Sequence, residues 1–293
     1  MQKVTGSGIN KAGIIEAEII SNTEIARDVY QLVLQCGEGA DGMHAAFAEA
    51  NPGQFINVYL RDKSMLLPRP ISICFAEGDR ITLVYRVVGK GTKALSGYRG
   101  GEIFTVSTPL GKGYDIGAVI RVLGAADKTV VALVAGGLGV PPMLELAKAV
   151  RAQLGKARLI AALGFQDELF LTEELKSFCD EVHIATDSGA AGFRGNVLEM
   201  MEVKGIKADY YLSCGPRPML KALAEHCGRA NKPLQVSLEE RMGCGYGACV
   251  GCTCRIRETA GGENAAETDV IIKRKKVCAD GPVFFGEEVV WDD

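Results

Sequence analysis

Residues 129–155 read T-V-V-A-L-V-A-G-G-L-G-V-P-P-M-L-E-L-A-K-A-V-R-A-Q-L-G. The run opens with seven residues that carry no charge and nearly all of which are apolar, the pattern of a parallel strand covered on both faces. A glycine-rich turn follows. Two prolines then start an amphipathic helix, with Gly155 at its end. Moving outward, R-L-I-A-A-L-G-F (158–165), E-V-H-I-A-T-D (181–187) and D-Y-Y-L-S-C-G-P (209–216) repeat the strand theme with helical stretches between them. A βαβ series of this kind predicts a parallel sheet, spanning 125–230.

Upstream the rhythm is different. I-I-E-A-E-I-I, V-Y-Q-L-V-L, Q-F-I-N-V-Y-L, P-I-S-I-C-F, I-T-L-V-Y-R-V-V and I-F-T-V-S are short, β-branched or aromatic, and punctuated by Gly, Pro, Asp and Asn. Six such strands within 14–124 predict a small closed antiparallel barrel. The stretch 37–52 is too long for a hairpin and reads as a surface excursion, and 1–13 as an N-terminal extension. The expected architecture is therefore multidomain: an antiparallel barrel, a parallel-sheet α/β domain, and a C-terminal module over 231–293.

Composition narrows the class. The 293 residues are 47% hydrophobic and 24% charged, with a formal net charge of −3, values of an ordinary globular protein. This balance gives no reason to expect nucleic acid or a bilayer as partner. No apolar run reaches membrane-spanning length and the first residues lack a signal-peptide core, so a cytoplasmic protein is expected. The three histidines, His44, His183 and His226, show no metal spacing, and no nucleophile–base pair suggests hydrolase or transferase chemistry.

The ten cysteines are unevenly spread. Cys36, Cys74, Cys179 and Cys227 read as small hydrophobes, and Cys214 stands apart because of the motif around it. The other five crowd into M-G-C-G-Y-G-A-C-V-G-C-T-C and V-C-A-D-G-P-V-F. Cys244, Cys249 and Cys252 have the spacing C-x4-C-x2-C, and Cys278 follows after 25 intervening residues. That is the ligand order of a plant-type [2Fe–2S] centre. Interleaved glycines let such a loop turn around a cluster and aim N–H groups at sulfur. The alternative is a zinc site of four thiolates, although zinc more commonly uses two separated C-x2-C pairs. Cys254 competes with Cys252 as third ligand; the x2 spacing favours Cys252 and leaves Cys254 as a buried neighbour on the following strand. Residues 257–276 read as a polar hairpin ending in K-R-K-K.

Two further motifs sit at strand ends. Arg69-Pro70-Ile71-Ser72, Val84-Tyr85-Arg86 and Gly91-Thr92 combine guanidinium groups, hydroxyls and a bare backbone, a set suited to phosphate. Taken singly, each arginine reads as a surface ion-pair partner. Ala135-Gly136-Gly137-Leu138-Gly139-Val140-Pro141-Pro142 opens a helix, where orphan N–H groups favour an anion. It is not the G-x-G-x-x-G fingerprint, and alone it reads equally well as a tight connection.

Together, R-P-x-S, the aromatic–Arg strand and G-T resemble the flavin site of the ferredoxin–NAD(P)+ reductase superfamily. The resemblance implies that Arg69, Pro70, Ile71, Ser72, Val84, Tyr85, Arg86, Gly91 and Thr92 bind FAD. It further implies that Gly136, Gly137 and Gly139, with Cys214, Gly215 and Pro216 of C-G-P-R-P, bind NAD, Cys214 lying beside the nicotinamide. Thr186 to Gly189 would border the adenosine half. With V-S-L-E-E-R-M-G-C-G-Y-G-A-C-V-G-C and K-V-C-A-D-G-P-V-F added, the chain from residue 14 onward resembles the electron-transfer subunits of NAD-dependent (class 1B) dihydroorotate dehydrogenases. This implies a [2Fe–2S] cluster on Cys244, Cys249, Cys252 and Cys278. It also implies FAD, NAD as substrate, and an FMN-containing catalytic subunit as partner in a heterotetramer of pyrimidine biosynthesis. A sulfide- or ferredoxin-linked NAD(P) oxidoreductase subunit shares the first two motifs, and a zinc-stabilised binding module is the reading from another class.

Overall fold

The computed structural model describes residues 13–36, 47–48, 50–62, 64–124, 128–259 and 270–291. Most of the 37–52 excursion and of the N-terminal extension lies outside them. The first strands are Ile14–Ala26 (β1), Val29–Cys36 (β2), Phe55–Tyr59 (β3), Arg69–Glu77 (β4) and Arg80–Arg86 (β5). A short helix, Lys90–Leu95 (α1), precedes Ile103–Ser107 (β6). The six strands close in the order β1-β2-β5-β4-β3-β6, every pair antiparallel. Alternate residues point inward, so Ile19, Leu32, Leu34, Ile56, Val58, Ile73, Leu83, Phe104 and Val106 fill the barrel. The barrel predicted from the strand periodicity is thus the one found.

Helix Ile116–Leu123 (α2) is capped by Asp115, whose carboxylate accepts from the Ala118 N–H at 2.8 Å. Its buried residues Ile116, Val119 and Leu123 join the core of the following domain. That domain comprises Val130–Gly136 (β7), a 3-10 turn at Gly137–Gly139, Pro142–Gln153 (α3), Arg158–Phe165 (β8), Thr172–Lys176 (α4), Glu181–Thr186 (β9) and Phe193–Arg194 (β10). It continues with Val197–Val203 (α5), Tyr210–Cys214 (β11), Arg217–Arg229 (α6) and Leu234–Ser237 (β12). Strand β7 shows why an unbroken apolar run was needed. Val131, Leu133 and Ala135 enter one core, Ala132 and Val134 the other, and all five are fully buried. Each large aliphatic side chain so covered contributes roughly 1.5–3 kcal/mol.

The C-terminal module is a hairpin of Thr253–Thr259 (β13) and Val270–Lys276 (β14), helix Val277–Asp280 (α7) and strand Val283–Phe285 (β15). The sheet order is β10-β9-β8-β7-β11-β12-β15. One detail departs from a purely parallel sheet: β15 pairs antiparallel with β12, with Ser237 opposite Val283. An antiparallel edge strand on a parallel sheet needs no crossover helix. The cysteine segment is therefore an excursion between two neighbouring strands of the nucleotide-type sheet.

Barrel and α/β domain are joined where β4 runs past β3. The outer edge of β4 at Ala76 is covered by α3. Glu145 Oε2 accepts from the Ala76 N–H at 2.9 Å, and Lys148 Nζ donates to the Ala76 carbonyl at 2.9 Å. The two side chains pair at 3.4 Å, and the ammonium lies 4.2 Å from the centre of the Phe75 ring. Glu145 is buried, so its loss strands an amide away from water. Glu145→Ala should lower stability by about 1–3 kcal/mol, read as an earlier urea midpoint. Lys148→Met should cost less, because that side chain is partly in solvent.

Candidate functional site

The parallel strands are laid down outward in both directions from β7: β8, β9 and β10 on one side, β11 and β12 on the other. The switch point therefore lies between β7 and β11, where open α/β sheets form a crevice beyond the strand ends. Gly136 ends β7 with Gly137 next to it, and Cys214 ends β11 with Pro216 just beyond, on the two sides of this crevice. Gly137 has φ +54, open to glycine at little cost. At Gly139 a Cβ would overlap the carbonyl of Cys214, so the two strand exits approach as backbones.

A cavity of about 550 Å³ opens here. Its sheet side is formed by Gly136, Gly137, Leu138, Gly164–Glu168, Asp187, Pro216 and Met219, and its barrel side by Ala26–Val29, Arg86 and Val87. Arg27 of the barrel and Glu168 of the sheet domain pair at 3.3 Å, and the Arg27 N–H donates to the same carboxylate at 2.6 Å. Asp187 of the T-D-S-G segment lines this cavity.

A second cavity of about 310 Å³ adjoins it through shared walls at Arg86 and Leu138. Arg69, Pro70, Ile71, Ser72, Val84, Tyr85, Arg86 and Thr92 all line it, so the motif residues scattered over β4, β5 and α1 converge. Gly91 does not line it but shapes it: a Cβ there would collide with the Arg69 guanidinium, which lies across the start of α1. Arg69 Nη1 also donates to the Leu67 carbonyl at 2.6 Å. The Tyr85 hydroxyl donates to Asn22 Oδ1 at 3.0 Å, and its ring stacks on Tyr30 at 5.7 Å. Cys214 lines this second cavity, while Gly139 and Gly215 line neither. Burial pushes the Cys214 thiol up to about 12, so it stands there as a neutral group. Beneath it the Tyr114 hydroxyl donates to the Ser213 carbonyl at 2.8 Å.

The far wall of the second cavity is Ser237, Leu238, Glu239, Glu240 and Met242, the chain leading directly into Cys244. Ser237–Glu240, Met242 and Leu138 lie within motifs quoted from the sequence but were not expected in this wall, and Phe55 carries no motif at all. In the loop beyond, N–H groups converge on sulfur. Burial raises the Cys244 thiol, but donation from the Cys249, Tyr246 and Ala248 amides outweighs it and brings the group down to about 6. The Cys249 N–H lies 3.3 Å from Cys244 Sγ. Cys278 is pushed up to about 12 by burial, then by its hydrogen bond and charge interaction with Cys252.

Among the described residues no three His, Cys, Asp or Glu side chains gather around a point fit for one ion. The four thiols lie instead as two hydrogen-bonded couples, Cys244 with Cys249 and Cys252 with Cys278. A two-iron cluster takes two thiolates per iron, so this donor set fits [2Fe–2S]. Cys254 is buried on β13 and pushed up to about 11 by burial, then by Glu240. It packs in the same core as Cys252 and Cys278, whereas the hydrogen bond of the Cys278 thiol is with Cys252.

Residues 239–290 match the family described as the iron–sulfur cluster binding domain of dihydroorotate dehydrogenase B. Over 277 residues the chain is 38% identical to the dihydroorotate dehydrogenase B (NAD(+)) electron transfer subunit of Caldanaerobacter subterraneus subsp. tengcongensis, covering 94% of this chain and 98% of that protein. The Geobacillus kaustophilus protein of the same name is 40% identical over 279 residues, with 93% and 96% covered. Among solved structures, an NADH-dependent reduced ferredoxin–NADP oxidoreductase superposes with a TM-score of 0.73 at 26% identity, covering 99% of this chain and 92% of that one. A flavohemoglobin from Malassezia yamatoensis with bound FAD and heme shares the fold at a TM-score of 0.61 and 18% identity, with 75% and 57% covered. Near-full-length identity to the dihydroorotate subunits disfavours both the sulfide- or ferredoxin-linked reading and the zinc module. The chain belongs to the family of dihydroorotate dehydrogenase B (NAD(+)) electron transfer subunits.

Proposed function

We propose that this subunit takes electrons from an FMN-containing catalytic subunit that oxidises dihydroorotate to orotate, and delivers them to NAD+. FAD is seated in the cavity of Arg69–Ser72, Val84–Arg86 and Gly91–Thr92, and NAD in the adjoining crevice at Gly136, Gly137, Gly139 and Cys214–Pro216. The [2Fe–2S] cluster is held by Cys244, Cys249, Cys252 and Cys278. The observation that carries this reading is adjacency: two cavities share Arg86 and Leu138, and the wall of one runs directly into the first cluster cysteine.

The order follows from chemistry. Nicotinamide exchanges a hydride, an iron–sulfur centre exchanges single electrons, and a flavin bound between them converts one into the other. This chain's residues supply the seats. Arg69, laid over Gly91, offers a guanidinium fork to a diphosphate. The close approach of the Gly139 and Cys214 backbones brings the ends of β7 and β11 together beside the two seats. Cys214, kept as a neutral thiol, adds no charge where a hydride passes. A heterotetramer of two subunits of each kind is the assembly we propose. No helix among the described residues is long and apolar enough to cross a membrane, and we place the complex in the cytoplasm.

Three outcomes test this. Mixed with its catalytic partner, the chain should form NADH from dihydroorotate and NAD+; activity with sulfide or reduced ferredoxin instead would defeat the substrate assignment. Arg69→Ala should weaken FAD retention on the order of 10- to 100-fold, since a charge-assisted bond of about 1.5–3 kcal/mol is lost, measured as flavin remaining after dialysis. Cys249→Ser should abolish cluster absorption and electron transfer from dihydroorotate with FAD still bound, whereas Cys254→Ser should keep both. A cluster lost in the Cys254 variant and kept in Cys252→Ser would reverse the choice of third ligand.

A further inference from the structure

Asn57 lies on β3 with none of its surface exposed. Its backbone N–H donates to Ser107 Oγ at 2.8 Å, and its cross-strand partner on β4 is Pro70 of the R-P-I-S motif. Its side chain shares the outward face of β3 with Phe55, which packs in the same core as Leu238, Cys252 and Cys278. There Nδ2 donates to the carbonyl of Cys244 at 2.9 Å. Gly245, with φ +76, is the residue that makes this possible: a Cβ would stand 2.5 Å from both polar atoms of the amide. The second polar atom, Oδ1, is buried and has no hydrogen-bond partner among the described residues.

An unsatisfied buried carbonyl is costly, and a leucine would fill a similar space without that cost. What only the amide supplies is the N–H to Cys244. Violations of local packing rules of this kind concentrate where function needs them. We infer that Asn57 is a positioning residue for electron exchange between flavin and cluster, fixing the Cys244 end of the cysteine loop to the strand pair that walls the flavin cavity. Pro70 faces the cavity, Asn57 stands opposite Pro70, and Cys244 hangs from Asn57. The two cofactor seats are thereby held at one separation by a bond between residues 187 apart in sequence. This rests on the cofactor assignment proposed above.

The test uses the purified complex with its catalytic partner. Under anaerobic conditions NADH is mixed in by stopped flow, and bleaching of FAD is followed separately from reduction of the cluster. In Asn57→Ala, and in the similar-sized Asn57→Leu, which lacks the donor, FAD should bleach at the wild-type rate. Cluster reduction should slow by about tenfold or more, the scale of effect expected from a small displacement of reacting groups. The electron paramagnetic resonance signal of the reduced cluster should shift, because the Cys244 end of the loop is no longer held. Wild-type transfer rates in both variants, or a lowered melting temperature with unchanged rates, would overturn the inference. So would equal slowing of both phases, or loss of iron from both variants, since either would give Asn57 a general structural role. Absence of flavin or cluster from the unmodified complex would instead defeat the cofactor assignment itself.

Discussion

One pairing holds the functional parts in place: Ser237 of β12 opposite Val283 of β15. Between these partners the chain leaves the sheet, walls a cavity, carries the four clustered cysteines, and returns. Because departure and return are hydrogen-bonded neighbours, the module is closed as a loop whose ends are fixed by the sheet. Residues 237–242 can then serve two purposes at once, as cavity wall and as approach to Cys244. Had β15 joined the sheet elsewhere, the cysteine loop would not stand beside the flavin-type cavity. The hydrogen bond from Lys112 to the Gly281 carbonyl, just before β15, ties the same return point to the segment that follows the barrel.

A second constraint acts at the switch point. Gly139 and Cys214 meet as backbones, which brings the ends of β7 and β11 together, and the two cavities share Arg86 and Leu138 as wall residues. The barrel contributes Arg86, so the shared wall depends on how barrel and sheet are docked. That docking is carried by the Glu145–Lys148 fork on Ala76, away from the crevice, and by Arg27 with Glu168 in the wall of the cavity itself. The Tyr114 hydroxyl, buried and bonded to the Ser213 carbonyl, tethers the interdomain segment to the strand that presents Cys214.

Much of this was legible in the sequence because it is local. Alternation identified the six barrel strands, the unbroken run 129–135 identified a strand covered on both faces, and glycines and prolines marked the turns and helix starts. C-x4-C-x2-C identified a ligand loop, and its amides do converge on Cys244. What sequence could not show is pairing at long range. Asn57 and Cys244 carry no mutual signature, nor do Glu145 and Ala76, because a side-chain-to-backbone hydrogen bond constrains only one of its two residue identities. The short strand V-F-F of β15 has too few residues to display a period, so its antiparallel pairing was invisible. Cys254 was ambiguous for the opposite reason: spacing offered two choices for the third ligand, and both Cys252 and Cys254 are buried in the same core.

The molecule divides its chemistry by exposure. Hydride exchange needs contact between two rings, and the seats proposed for it lie against a sheet end lined by buried backbone and a neutral thiol. Single-electron exchange needs only proximity, and the cysteine loop accordingly keeps one side inside and one side out. Cys252 and Cys278 are buried in the core, whereas Tyr246 is 54% exposed and Val250 73%. The inner side reaches the barrel through Asn57, and the exposed tip is the part of the module another protein can approach. Glycines at 245 and 247, both at positive φ, allow the turns between these two sides. A loop buried on one side and open to solvent on the other suits the proposed centre, which would exchange electrons with a flavin on this chain and with a second subunit.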